Sequence, residues 1–401
     1  MKIAVFSSLA FSLVNFRGNL LQDLRHAGHE VIAVAPDRDA AVEAKLAEWG
    51  IGFEQVPMAR AGTNLLSDFG TLAAYVRMLR RHRPGAVIAY TQKPIIYGGI
   101  AARLCGIKRF YALMSGLGYL FSDAASGRRV LKAAFCRLYR EGLRGAKRIF
   151  VFNSDDRPDM LAAGIVSFSS PVVQVPGSGV DVERFAQAPL PDGPIHFLMI
   201  GRLMRDKGVW EYAEAARQVR ALHPEARFSL IGRPEPSNPT GLDDSDIARL
   251  SRDYPVERIP ETNEIPRYLA SAHAFVLPSY YREGLPRTIL EALAVGRPVI
   301  TTDMAGCRDA VVDGENGLLV QPRDAAALAD AMLRLAGDRQ LVHEMAARSR
   351  KLAEDVYDVR KVNALLLREM DLDRISRVPD HDGERARPGP TQTSPLAKGY
   401  H

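Results

Sequence analysis

The sequence predicts two doubly wound α/β domains, and three observations carry the prediction. Short apolar runs rich in β-branched residues alternate with helix-length amphipathic segments along the chain, the pattern of parallel strands joined by helical crossovers. The pattern breaks at AQAPLPDGP (Ala186–Pro194) and then restarts. The 401 residues also exceed the usual span of one core, about 100–200 residues. With 47% hydrophobic residues, 32 Gly and 25 Pro, neither a disordered nor a collagen-like protein fits. Three widely spaced cysteines (Cys105, Cys136, Cys307) exclude a disulfide framework and a structural zinc cluster, and they suit a reducing compartment.

The first domain, residues 1–185, opens on KIAVFS (Lys2–Ser7), a β-branched strand. The stretch MKIAVFSSLAFSLVNF lacks an A-x-A cleavage site, and Asn15 and Arg17 end its apolar run early, so it reads as strand and loop rather than as a secretion signal. FRGNLLQDLRHAG follows as a helix with Gly28 at its stop. The next strands are Glu30–Pro36, Gly85–Tyr90, Arg109–Met114, Arg148–Asn153 and Val172–Pro176, with helical patterns between them. Residues 186–194, rich in Pro and Ala, form the linker. The second domain, residues 195–356, repeats the scheme with strands Ile195–Ile200, Arg227–Gly232, Ala274–Ser279, Pro298–Asp303 and Gly317–Val320. Residues 378–401 have almost no large apolar side chains, so a disordered tail is expected. Two such domains leave a cleft between the carboxyl ends of their sheets, where ligands of open α/β sheets bind.

Charge is unevenly spread. The net formal charge is +6, yet residues 51–150 hold 17 basic and 4 acidic side chains. That excess points to an anionic partner for the first domain: nucleic acid, an anionic membrane or a phosphorylated substrate. Aromatic residues are not interleaved with these charges as single-strand stacking would need, so no nucleic-acid binding is expected.

Two segments carry chemistry. In PSYYREGLPRTILEALAVGRPVITTDMAGCRDAVVDGENGLLV (Pro278–Val320), Glu283 sits in the loop after a strand. Glu291 lies eight residues on, along a helix opened by Pro286. Proline at the first turn leaves the Gly284 and Leu285 amides at a helix N-terminus, where N–H groups and the helix dipole favour anions. Acceptor-only carboxylates suit sugar hydroxyls; the alternative is a helix cap and a surface ion pair. In IGRLMRDKGV, Gly201 ends a strand and Arg202 and Lys207 follow. They either converge on a diphosphate, as fork and point charge, or are solvated. LDDSD (Leu242–Asp246) reads as a solvated loop, and no D-x-D motif suggests a magnesium site.

Together with PGSGVDVERF (Pro176–Phe185), these segments resemble glycosyltransferase family 4, the retaining nucleotide-sugar transferases of GT-B fold. The resemblance implies two Rossmann-like domains facing a cleft, with residues 357–377 a C-terminal helix crossing back to the first domain. It implies that Gly201, Arg202 and Lys207 bind the donor diphosphate and that Glu283 contacts the transferred sugar. Glu291 would contact the ribose, and the Gly284 and Leu285 amides would lie against sugar and phosphate. Catalysis would rest on Glu283, Arg202 and Lys207. UDP is the implied base, and neither metal nor cofactor is expected, because the cations and helix amides would stabilise the leaving diphosphate. One departure is Ser115, where many members carry a histidine that reaches the sugar.

TQKPIIYGGIAARLCGI (Thr91–Ile107) and SGLGYLF (Ser115–Phe121) resemble the subgroup that builds capsule, O-antigen and lipid-linked oligosaccharides. The implied reaction moves a hexose or N-acetylhexosamine to an undecaprenyl-diphosphate-linked saccharide, with Arg17, Lys93 and Ser115 as candidate acceptor contacts. A soluble transferase acting on a small acceptor and a nucleotide-sugar 2-epimerase are the alternatives. The segment Arg128–Arg148 has eight basic residues and one acidic, with Leu131, Phe135, Leu138 and Leu143 as its apolar side. A basic amphipathic helix of this kind suits an anionic membrane surface. The expected location is therefore cytoplasmic, peripheral on the inner membrane.

Overall fold

The computed structural model describes residues 1–58, 65–118, 129–235 and 238–373. The segment read as a tail and Arg128, at the head of the basic segment, lie outside the described residues. The first half runs β1 (Lys2–Phe6), α1 (Ala10–Asn15), α2 (Gly18–His26), β2 (Glu30–Ala35), α3 (Ala40–Glu48), β3 (Gly52–Gln55), α4 (Leu65–His82) and β4 (Ala86–Tyr90). It continues with α5 (Gln92–Leu104), β5 (Phe110–Met114), α6 (Arg129–Leu143), β6 (Arg148–Val151), α7 (Asp156–Ala162) and β7 (Val172–Gln174). These strands form a seven-stranded parallel sheet in the order β3-β2-β1-β4-β5-β6-β7.

The second half runs β8 (His196–Ile200), α8 (Val209–Leu222), β9 (Arg227–Ile231), α9 (Asp244–Asp253), β10 (Glu257–Ile259), α10 (Ile265–Ala270) and β11 (Ala274–Leu277). Then come α11 (Arg287–Val295), β12 (Val299–Thr302), β13 (Gly317–Val320), α12 (Ala325–Gly337), α13 (Arg339–Leu352) and α14 (Val359–Glu369). Its sheet is six-stranded and parallel, ordered β10-β9-β8-β11-β12-β13. Strands β4, β5, β8 and β11 are buried at every position, because helices cover both faces of a parallel sheet. Strand order reverses between β1 and β4 and between β8 and β11, and the crevice at each switch point opens at the carboxyl ends of the strands.

Several elements differ from the sequence reading. The edge strands β3 (GFEQ) and β10 (ERI) were not expected; both are polar and half-exposed and lack the apolar run that marks a buried strand. The segment after β1 is not a loop throughout, since α1 occupies Ala10–Asn15. The following helix begins at Gly18 rather than Phe16. LDDSD is not a solvated loop either. Leu242 is buried, and the Asp243 carboxylate caps α9 by accepting from the Asp246 amide, which satisfies an otherwise orphaned N–H. On α6 the buried side is Cys136, Tyr139 and Leu143, while Leu138 turns outward.

The Pro-rich connection between the sheets is held to the second by a buried arginine. Arg297 is 0% exposed. Its guanidinium donates to the carbonyls of Ala188 (2.9 Å), Pro189 (2.9 Å), Leu269 (2.9 Å) and Ala270 (3.0 Å). Five fixed donors on one planar group match such a ring of carbonyls, a geometry that an ammonium cannot reproduce.

After α13 a π-helical turn, Ala353–Tyr357, redirects the chain, and α14 docks on the first domain. Asn363 donates to Asp23 (2.7 Å), the Tyr111 hydroxyl donates to the Met370 carbonyl, and Lys147 pairs with Asp371. Leu366, Leu367, Met370 and Leu372 are buried. At roughly 1.5–3 kcal/mol each, these four side chains hold the segment against the first domain.

Candidate active site

The crevice at the switch point of the second sheet is built from two loops of the second domain. After β8, Gly201 and Arg202 lead into a short 3-10 turn, Arg205–Lys207, closed by Gly208 at φ +78°. A Cβ at Gly208 would stand 2.2 Å from the Pro278 carbonyl oxygen, so glycine is required for the loops to meet. The Asp206 carbonyl then accepts from the amides of Tyr280 (2.9 Å) and Tyr281 (3.1 Å). This zips the first loop to the loop after β11.

That junction brings Lys207 and Glu283 together. Lys207 is 8% exposed, and its ammonium pairs with the Glu283 carboxylate. The same carboxylate accepts from the Ser279 hydroxyl (3.0 Å). Arg202 points elsewhere: it is more exposed, and its guanidinium lies 3.8 Å from Glu235. The two cations are therefore not gathered at one point. Lys207 is neutralised by Glu283, and Arg202 stands at the crevice edge.

Glu291 neither joins Glu283 nor sits at the surface. It is largely but not fully buried on α11, with Arg287 3.5 Å away. Burial raises its pKa against the opposing pull of Arg287 and Arg184. Pro286 precedes α11 as its N-cap, and no side chain caps the helix. Leu285 is buried against Gly177, whose φ of +64° and missing Cβ leave space for it. Cys307 also lies by this site. Burial, and then the Glu283 carboxylate, push its thiol up to about 12, which keeps it protonated and unreactive.

The three candidates on the first domain have different surroundings. Arg17 is 4% exposed, and its guanidinium sits 5.3 Å from the ring centroids of both Tyr90 and Phe152. Desolvation moves its pKa down to about 10, and its Nε has no hydrogen-bond partner. It is thus a buried cation stabilised by aromatic faces, at the carboxyl ends of β4 and β6, and not a solvated charge. Lys93 is committed to Asp68 of α4 (2.7 Å), so it does not offer a free ammonium to the cleft. Ser115 is exposed at the end of β5, and its backbone lies against Gly284.

Residues between the domains were missed by the sequence reading. Asn153, at the end of β6, donates from Nδ2 to the carbonyls of Glu283 (3.0 Å) and Gly284 (2.8 Å). Arg282 pairs with Asp159, and Arg308 lies 3.4 Å from Asp155. Asp156, buried beside this network, is raised to about 7, chiefly by desolvation. The legible signal was NSDD (Asn153–Asp156), a helix-capping string immediately after a strand.

Two family models match the chain. "Glycosyl transferase 4-like domain" covers residues 15–177 and "Glycosyl transferases group 1" covers residues 194–338. Among curated proteins, the N,N'-diacetylbacillosaminyl-diphospho-undecaprenol alpha-1,3-N-acetylgalactosaminyltransferase of Campylobacter jejuni is 24% identical over 359 residues, 85% of this chain and 91% of that protein. The UDP-Gal:alpha-D-GlcNAc-diphosphoundecaprenol alpha-1,3-galactosyltransferase of Escherichia coli is 26% identical over 299 residues, 71% and 75% respectively. Among solved structures, Anabaena HepE in complex with UDP superposes with a TM-score of 0.73 at 18% identity, covering 92% of this chain and 100% of that one. Sucrose-phosphate synthase from Thermosynechococcus elongatus gives 0.73 at 18% identity, covering 92% and 98%. The paired parallel sheets, the matched loops of the crevice and these two family models lead to one conclusion: the chain belongs to glycosyltransferase family 4 and has the GT-B fold.

Proposed function

We propose that this enzyme moves a hexose or N-acetylhexosamine, with retention, from a UDP-linked sugar to an undecaprenyl-diphosphate-linked saccharide in cell-surface polysaccharide biosynthesis. The observation that carries the reading is the largely buried Lys207–Glu283 pair at the switch point of the second sheet. The named acceptors of the Campylobacter jejuni and Escherichia coli relatives, and the UDP-sugar of the latter, supply the substrate class. In the free enzyme Glu283 holds the Lys207 charge in place. When the nucleotide sugar enters, Lys207 and Arg202 meet its diphosphate, and the Glu283 carboxylate turns to the sugar hydroxyls. Charge that develops on the leaving diphosphate is then met by preorganised cations and by the uncapped start of α11, each such donor contributing roughly 10²–10³-fold. Gly201, Gly284 and Leu285 line this path with backbone, and Glu291, held by Arg287, takes the ribose. No metal is required in this scheme, so activity is expected to survive EDTA.

On the acceptor side, the buried Arg17, whose Nε has no hydrogen-bond partner, would meet the lipid diphosphate once the acceptor enters, and Ser115 would border the acceptor sugar. Among the described residues no helix is long and apolar enough to cross a membrane. The exposed Arg137, Arg140 and Arg144 of the α6 region are proposed to hold the first domain on the anionic cytoplasmic leaflet, at about 1 kcal/mol per basic residue near the surface. Radiolabelled UDP-sugars offered with undecaprenyl-diphosphate-GlcNAc in anionic vesicles test the reading. Transfer to lipid that Glu283→Gln abolishes is the expected result; transfer only to a water-soluble acceptor, or donor epimerisation without acceptor, overturns it.

A further inference from the structure

We infer that Asn153 is a positioning residue through which the first domain sets the loop that carries Glu283. The inference rests on the transferase reading for its kinetics, though not for its structural readout. Asn153 is 0% exposed and uses both ends of its amide. Its Oδ1 accepts from the amides of Asp155 (3.0 Å) and Asp156 (2.8 Å), opening α7. Its Nδ2 donates to the carbonyls of Glu283 (3.0 Å) and Gly284 (2.8 Å) across the domain boundary.

Those two carbonyls are hemmed in on their other side. A Cβ at Gly306 would stand 2.6 Å from the Gly284 oxygen and 2.8 Å from that of Glu283. The glycine leaves space but offers no side chain to replace the amide. Buried carbonyls without donors are costly, so the loop keeps this conformation where Asn153 reaches it. Neighbouring ties run the same way: Gly118 N–H donates to the Arg282 carbonyl (3.2 Å), and Ser154 N–H donates to the Asp309 carboxylate (2.8 Å). The backbone behind Glu283 is therefore completed by the opposite domain, and the carboxylate is set in register when the two domains meet. Asparagine alone among side chains of this size is both acceptor and double donor. Aspartate keeps the helix cap but presents a carboxylate to two carbonyl oxygens.

Asn153→Asp and Asn153→Ala in the full chain test this. In substrate-free protein, hydrogen exchange of a peptide spanning residues 280–288 should accelerate at least tenfold in Asn153→Asp, while residues 156–162 keep wild-type protection. In turnover, kcat should fall roughly 10–100-fold with KM for the nucleotide sugar within threefold, the signature of a misplaced group rather than lost binding. Asn153→Ala should add a fall in Tm, because it also loses the cap. Wild-type loop exchange and wild-type kcat in Asn153→Asp would overturn the inference, leaving Asn153 as a helix cap only. If the wild-type enzyme transfers no sugar, the functional reading fails, while the exchange measurement still decides the role of Asn153.

Discussion

Gly284→Ala isolates the contact between the domains. The Cβ added at Gly284 would lie 2.6 Å from the Ser115 carbonyl carbon, 2.9 Å from the Gly116 nitrogen and 2.9 Å from the Ser115 oxygen. All three are backbone atoms of the first domain, and none belongs to the loop's own domain. Gly284 is not among the residues at positive φ, so alanine meets no conformational objection of its own. Non-bonded carbons settle at about 3.5–4.0 Å, which means that the facing backbones must part by about 1 Å. Misplacement of that size can cost about 10²-fold in rate, whereas neither hydrophobic core is touched. The expected outcome is a kcat/KM lowered by about two orders of magnitude, UDP affinity by calorimetry within threefold, and Tm within a few degrees of wild type. Small-angle scattering should show a slightly more open particle. A kcat/KM within threefold of wild type would refute the reasoning, as would a collapse of Tm, which would place the damage in the fold. Gly116→Ala, at φ +101° with the Gly284 nitrogen 2.5 Å from its Cβ, should lose the same activity and additional stability.

Removing one member of the Lys207–Glu283 pair leaves a largely buried charge alone and should cost about 3–5 kcal/mol in urea unfolding, whereas Lys207→Met with Glu283→Gln together should cost clearly less. Either single variant should lower kcat by at least 10². Asp156, raised to about 7 by burial, binds its proton more tightly folded than unfolded. Its contribution is fully present below the ordinary aspartate range and is lost as pH rises through about 7. Asp156→Asn should accordingly flatten the fall in Tm between pH 5 and 8, by an amount equivalent to about 1–3 kcal/mol; a Tm profile parallel to wild type would contradict this. Arg297→Met leaves at least four carbonyls without their donor and should destabilise the second domain by about 3 kcal/mol or more, with increased proteolysis near residue 190. Arg297→Lys should rescue little.

The sequence signal was strongest where the physics is local. Central strands such as Ala86–Tyr90 and Ala274–Leu277 are continuous apolar runs, because both faces are covered. Of the four edge strands, β3 and β10 carry Glu, Gln and Arg because one side meets water and escaped notice, whereas β7 and β13 keep an apolar run and were legible. Lys207 and Glu283 were legible as motif residues, but their mutual pairing was not, since 76 residues separate them. Lys93 shows the limit of reading a strand end as cleft-facing: its partner, Asp68, comes from a neighbouring helix. Arg17 could not be recognised as buried without knowing that Tyr90 and Phe152 converge on it. Asn153, Arg282 and Asp159 take their meaning from how one domain meets the other, and no periodicity within either domain encodes that.

The docking of α14 on the first domain has a consequence for biosynthesis. The first sheet is complete once Gln174 has been made, yet the surface that receives Leu366, Leu367, Met370 and Leu372 waits for residues made about 200 positions later. At roughly 5–20 residues per second, that patch stays uncovered for about 10–40 s during translation. A nascent first domain therefore offers chaperones an apolar binding surface in that interval, and the finished protein withdraws it when α14 arrives.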